Sequence, residues 1–134
     1  MGKSKKKILV VDDDPVMLRI TEKMLQVDGK EVLRAVDGVT GIELAKTDQP
    51  DLILLDVLMP GIDGVEVARR LRAMEDTKDI PIIFMTVTID LEDDKGGEEI
   101  NVDGEMFRAF AKPLHQRKTL SVIRKLINKR ENDN

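Results

Sequence analysis

A chain of 134 residues, 41% hydrophobic and 36% charged, is long enough for one domain with a real core and too apolar for a disordered tail. It has no cysteine, which excludes disulfides and thiolate metal sites and is compatible with the cytoplasm. The net charge is only −4, and no apolar run approaches the roughly 20 residues of a membrane helix, so no membrane partner is expected.

In chain order, "KILVV" (7–11) reads as a first strand. Four apolar residues followed by Asp12, Asp13 and Asp14 do not make a signal peptide. Asp14 and Pro15 open a helix as N-cap and first helical residue. Val16, Ile20 and Met24 recur on one face of it, joined by Met17, Leu18 and Leu25, and are expected to face the core. Asp28-Gly29 stops this helix. "EVLRAV" (31–36) is a second strand. The helix over 38–47 turns Ile42 and Ala45 inward. "DLILLDV" (51–57) is a third strand, fully buried by its composition but ending in Asp56. A Pro60-Gly61 loop leads to a helix over 64–74 with Val67, Leu71 and Met74 on one stripe. "IPIIFMTV" (80–87) is strand four and "MFRAFA" (106–111) is strand five. A last helix spans 114–129 with Leu120, Ile123 and Ile127 inward. Residues 88–105 carry eight acids against Lys95 and are expected to form a short or frayed helix or a mobile loop.

Strands alternating with helices give a parallel sheet with helices on both faces. Ligands of such sheets bind at the carboxyl ends of the strands. There this sequence places Asp12, Asp13 and Asp14, then Asp56, then Thr86 with Thr88 just after, then Lys112. Crowded carboxylates repel unless a cation neutralises them. Hard oxygen ligands with room for water select magnesium. Lys112 and Thr86 would supply a charge and a hydrogen bond to an incoming phosphoryl group, with Asp56 as its nucleophile.

"ILVVDDDP", "DLILLDVLMPGIDG", "PIIFMT" and "AKP" resemble, in that order, the receiver domain of two-component response regulators, over about residues 6–128. The resemblance implies a doubly wound, flavodoxin-like sheet of five parallel strands in the order 2-1-3-4-5. It implies a basic tail over 1–5, a receiver domain over 6–129 and a polar tail over 130–134. It further implies that Asp56 accepts the phosphoryl group with Mg2+, from a histidine kinase or phosphotransfer protein. Asp13 would bind the metal directly, Asp12 through a metal-bound water, and the Leu58 carbonyl would complete the protein's share. Thr86 would bond the phosphoryl group and Lys112 would pair with one of its oxygens. Pro113 would follow Lys112 through a cis bond. The implied role is a signalling switch with no conventional substrate turnover, acting through a downstream protein or output domain. No output domain is expected within this stretch.

Three positions depart from the family's usual pattern. Val87 stands where a small residue is usual and is expected to crowd the approach to Asp56. Ala109 stands where an aromatic often moves on activation. Residues 88–105 replace the fourth helix, so the output face is expected to be altered. The departures favour a rival reading, an interaction module of the same fold that no longer switches; the intact Asp12, Asp13, Asp56, Thr86 and Lys112 set argues against it. A second rival, a phosphohydrolase using Asp12 and Asp14, lacks an acidic motif on strand four. The six Lys or Arg in 117–130 read as a solvated face. Without aromatic or polar base readers, direct nucleic-acid contact is not expected. His115 is expected on the exposed start of the last helix, Asp14 and Asp63 as caps, and Phe110 in the core.

Overall fold

The computed structural model describes residues 5–87 and 98–132, except for the side chain of Glu98. The elements run β1 (Lys7–Val11), α1 (Pro15–Val27), β2 (Glu31–Ala35), α2 (Gly38–Asp48), β3 (Leu52–Asp56), α3 (Gly64–Arg72), β4 (Ile82–Thr86), β5 (Glu98–Val102), β6 (Glu105–Ala111) and α4 (Gln116–Asn132). The sheet order is β2-β1-β3-β4-β6-β5. All neighbours are parallel except β5 and β6.

The parallel part has the expected order, with β6 as its fifth strand. β3 and β4 are buried along their whole length, which is why "LILLD" and "IIFMT" read as near-continuous apolar runs and not as alternations. One face of the sheet packs Leu9, Ile53, Leu55 and Phe84 against α2 and α3 through Ile42, Ala45, Val67 and Leu71. The other packs Ile8, Leu54, Ile83 and Phe110 against α1 and α4 through Leu18, Leu25, Leu120, Ile123 and Ile127.

The cap residues were legible. Asp14 accepts from the backbone N–H of Val16 and Met17, and Asp63 accepts from that of Glu66. The inward face of α1 differs from expectation at Val16 and Ile20, while Leu18, Met24 and Leu25 pack on the core as expected. Leu18, Thr21 and Leu25 are buried, while Val16 and Ile20 are 62% and 50% exposed. Both stripes satisfy a helical period, and the sheet takes the one reached by Leu18 and Leu25. Helix α4 continues to Asn132, past the expected end at 129, and Lys6 pairs with Glu131.

The second correction concerns residues 98–105. They form neither helix nor loop but a sixth strand and a tight turn, antiparallel to β6. Asp103 and Gly104 have φ of 52° and 94°, the two positive values of a type I′ hairpin turn. An Asp-Gly pair between alternating residues is the strongest short-range hairpin signal. The surrounding acids obscured it. Ile100 and Val102 pack toward the α2–α3 side of the sheet. Arg69 and Arg72 of α3 pair with Asp103 and Glu105, and Arg72 also stacks on Phe107 and donates to the Ile80 carbonyl. The readings of 88–97, including Thr88, lie outside the described residues.

Candidate functional site

Parallel pairing brings four strand ends to one edge. Val11 is level with Leu55, Asp56 with Met85, and Thr86 with Ala111. Asp12, Asp56, Thr86 and Lys112 therefore stand at successive strand ends. Backbone bonds carry the register past the strands: Val57 N–H donates to Met85 and Lys112 N–H to Thr86.

One carboxylate oxygen from each of Asp12, Asp13 and Asp56 lies within 4.8 Å of the others. Asp12, Asp56 and Thr86 are buried, and Asp13 faces solvent. The Lys112 ammonium reaches across to bond both Asp12 oxygens, at 3.1 and 3.0 Å, and Asp56 Oδ2 at 3.1 Å. Its side chain is only 6% exposed. Asp12 Oδ1 also accepts from Asp14 N–H at 3.0 Å, and Asp56 Oδ1 accepts from Leu58 N–H at 3.3 Å. Asp56 is thus held by both oxygens, one from its own loop and one from the far strand.

Three carboxylates and one ammonium leave the crevice with excess negative charge. Burial pushes the Asp56 carboxyl up to about 6, with Asp12 adding to the rise and Lys112 opposing it. Burial pulls the Lys112 ammonium down, but its bonds to Asp12 and Asp56 outweigh that and leave it raised. A cluster of hard oxygens, part buried and part open, fits a magnesium ion. The expected metal and acceptor carboxylates therefore converge, and Lys112 meets them. Thr86 ends the adjacent strand, and Leu58 lies on the loop with its N–H turned to Asp56.

Gly64 is the first residue of α3. A Cβ there would lie 2.2 Å from the Asp56 carbonyl oxygen and 3.0 Å from Val57 Cα. Its N–H donates to Val57 across the loop at 2.9 Å. The loop after Asp56 can close only because this position lacks a side chain. We expect Gly64→Ala to cost about 2–4 kcal/mol of stability, a steric clash of the overpacking kind. Denaturant unfolding measures it, and a loss under about 0.5 kcal/mol would contradict the tight approach.

Val87 is 67% exposed, so its side chain stands mostly in solvent. Ala109 is buried level with Phe84, while Phe107 meets Phe84 edge-on and Phe110 packs in the opposite cluster. The Lys112–Pro113 bond is cis. His115 is exposed and its Nδ1 accepts from Lys118 N–H beside the start of α4.

Comparison with known proteins places this geometry. Residues 8–124 match the family model described as "Response regulator receiver domain". The chain is 36% identical to the "DNA-binding dual master transcriptional regulator RpaA" of Synechocystis sp., over 92% of this chain and 49% of that protein. It spans about half the length of the first curated relatives it matches. A CheY-like receiver domain protein from Methanospirillum hungatei superposes with a TM-score of 0.82 at 24% identity, covering 98% of this chain and all of that one, which supports the fold. The receiver domain of a sensor histidine kinase from Pseudomonas aeruginosa superposes at 0.79 with 29% identity, over 93% of this chain and 99% of that one; it was solved with magnesium coordinated in its active-site cleft. No helix among the described residues is long and apolar enough to cross a membrane. The match over most of the chain, with the acidic crevice at the strand ends, makes it a member of the response regulator receiver domain family.

Proposed function

We propose that Asp56 accepts a phosphoryl group from a histidine kinase or phosphotransfer protein, and that this controls the chain as a signalling switch. The observation that carries it is the convergence of Asp12, Asp13 and Asp56 within 4.8 Å of one another, with Lys112 on Asp56 Oδ2. The bond from phosphorus to the donor's nitrogen breaks as the bond to an Asp56 oxygen forms. Leu58 N–H and Lys112 hold the Asp56 carboxylate by opposite oxygens, which fixes its plane for that attack. Lys112, already charged and buried, then follows the negative charge onto a phosphoryl oxygen. Thr86, at the end of β4, donates its hydroxyl to another.

Asp12, Asp13, Asp56 and the Leu58 carbonyl would hold Mg2+, which when bound supplies the positive charge that keeps all the carboxylates ionised and neutralises the incoming group. Asp13, the one exposed carboxylate of the cluster, is free to turn toward it. Magnesium is expected to raise the melting temperature, and Asp13→Asn to remove most of that rise. Calorimetry or dichroism reads it, since there is no Trp. A magnesium shift unchanged by Asp13→Asn would place the ion elsewhere.

The output surface is proposed to be β5, β6 and α4, altered by the hairpin that stands at 98–111. A second reading, a receiver-fold interaction module that no longer switches, draws on Ala109, which offers no ring to move. Fluoroberyllate with magnesium, a mimic of the bound phosphoryl group, separates the two. The switch requires it to stabilise the chain further and to shift amide resonances on β4 and β6. The second reading requires no response.

A further inference from the structure

We infer that the outer edge of β5 is a self-association surface, on which two copies of the chain pair their β5 strands antiparallel about Ile100. β5 ends the sheet, and among the described residues nothing pairs with its outer side. In a two-residue hairpin the closing pair, Val102 and Glu105, exchanges hydrogen bonds, and bonded and non-bonded pairs then alternate. Ile100 and Phe107 form the next bonded pair. Glu99 and Asn101 sit at non-bonded positions opposite Arg108 and Met106, so their backbone N–H and C=O groups point outward.

Natural edge strands are blunted by charged side chains, Lys above all, by Pro, by bulges or by being very short. β5 is short and begins with two Glu, but it has no Lys and no Pro, and its register with β6 runs without a bulge. Its sequence also selects the occupant. A two-fold axis at Ile100 puts Glu99 of each copy opposite Asn101 of the other, as a pair that exchanges two backbone bonds. Two such pairs give four bonds. The Asn101 amide now donates to Met106 Sδ, a weak acceptor, and in the pair it meets a carboxylate. Centring the axis on Glu99 would set Glu99 against itself, and centring it on Asn101 would set Glu99 against Asp103. Like charges directly opposite are unfavourable. The Ile100 register alone avoids both. There the two Ile100 side chains meet at a non-bonded pair, where cross-strand side chains are closest, and Ile100 is only partly buried in the single chain. The short strand implies a weak, concentration-dependent dimer.

Sedimentation of the full chain up to about 0.5 mM tests this, a range that reveals dimers of millimolar affinity or better. Dimer is expected to grow with concentration. Glu99→Pro removes an outward N–H and no hairpin bond, so the single chain keeps its fold while two of the four bonds are lost. Its dissociation constant should rise about tenfold or more. Asn101→Asp keeps the oxygen that accepts from Gly104 N–H but faces Glu99 with a second carboxylate, so it should weaken the dimer most at low salt. Should Glu99→Pro fail to fold by dichroism, Asn101→Asp decides alone. A chain that stays monomeric throughout, or a dimer unmoved by both variants, overturns the inference.

Discussion

Lys112→Met should cost about 1–3 kcal/mol of stability at neutral pH without metal, and the loss should shrink toward acid. Lys112 is the cation of a buried trio, bonded to Asp12 and Asp56. Removing one partner of a buried pair typically costs about 3–5 kcal/mol, because the remaining charge is left uncompensated. The open rim and Asp56's ability to take up a proton reduce that figure. The pH dependence follows from Lys112's part in holding Asp56 down. Without it, the Asp56 carboxyl rises above about 6. A carboxyl that holds its proton more tightly folded than unfolded weakens the fold as pH rises from its unfolded value of 3.8 through its folded one. The deficit should therefore be small near pH 4 and full above neutrality. Met keeps the aliphatic stem, so packing loss is minor. Magnesium should stabilise this variant more than the parent, since Lys112 no longer competes for Asp12 and Asp56. A loss that is flat with pH would show that Lys112 acts through packing alone.

Asp56→Asn should do the reverse and stabilise the metal-free domain at pH 7 by about 1–2 kcal/mol, a few degrees in melting temperature. Burial is the main reason the Asp56 carboxyl is raised, and Asp12 adds to it. Between 3.8 and about 6 the folded chain binds more protons than the unfolded one, so stability falls across that window as Asp56 ionises. At pH 7 the whole penalty is present. The amide removes it and leaves Asp12 paired with Lys112. At pH 4 the advantage should nearly vanish. With saturating magnesium it should shrink or invert, because the parent gains the ion and the variant loses a ligand. An Asp56→Asn chain less stable than the parent at pH 7 without metal would mean that the Lys112 bond outweighs the crowding.

These two variants express one trade. The crevice carries more negative charge than the fold alone favours, and it is held by a lysine that the proposed phosphoryl transfer would partly release. Strain of this kind is the usual mark of a site kept for chemistry.

How much of this was readable depends on how local the signal was. Asp56 at the end of an apolar run, the Asp12-Asp13 pair and Lys112-Pro113 each declare a strand end by themselves, and parallel pairing does the rest. The cap roles of Asp14 and Asp63 were equally local. Gly64's role was not, because the clash it avoids is with the Asp56 carbonyl eight residues back. The face of α1 was misread only at Val16 and Ile20, which keep a helical period with Met24 yet stand exposed, while Leu18, Leu25 and Met24 pack on the core as expected. Only the position of the sheet chooses between the two stripes. β5 was missed for a different reason. Its acids outweighed the Asp103-Gly104 turn signal, although both of its inward residues, Ile100 and Val102, alternate as a strand requires. That the Lys112 ammonium lies on Asp12 and Asp56 is a property of side-chain reach, which spacing does not encode.

The most direct measurement is the intact mass of the chain after incubation with acetyl phosphate and magnesium. The parent should gain one phosphoryl group, labile to base as an acyl phosphate is, and lose it again with time. Asp56→Asn should gain none, and magnesium removed by chelation should suppress the gain in the parent. An adduct that persists in Asp56→Asn, or no adduct in a folded parent that binds magnesium, would contradict the assignment of Asp56 as the acceptor.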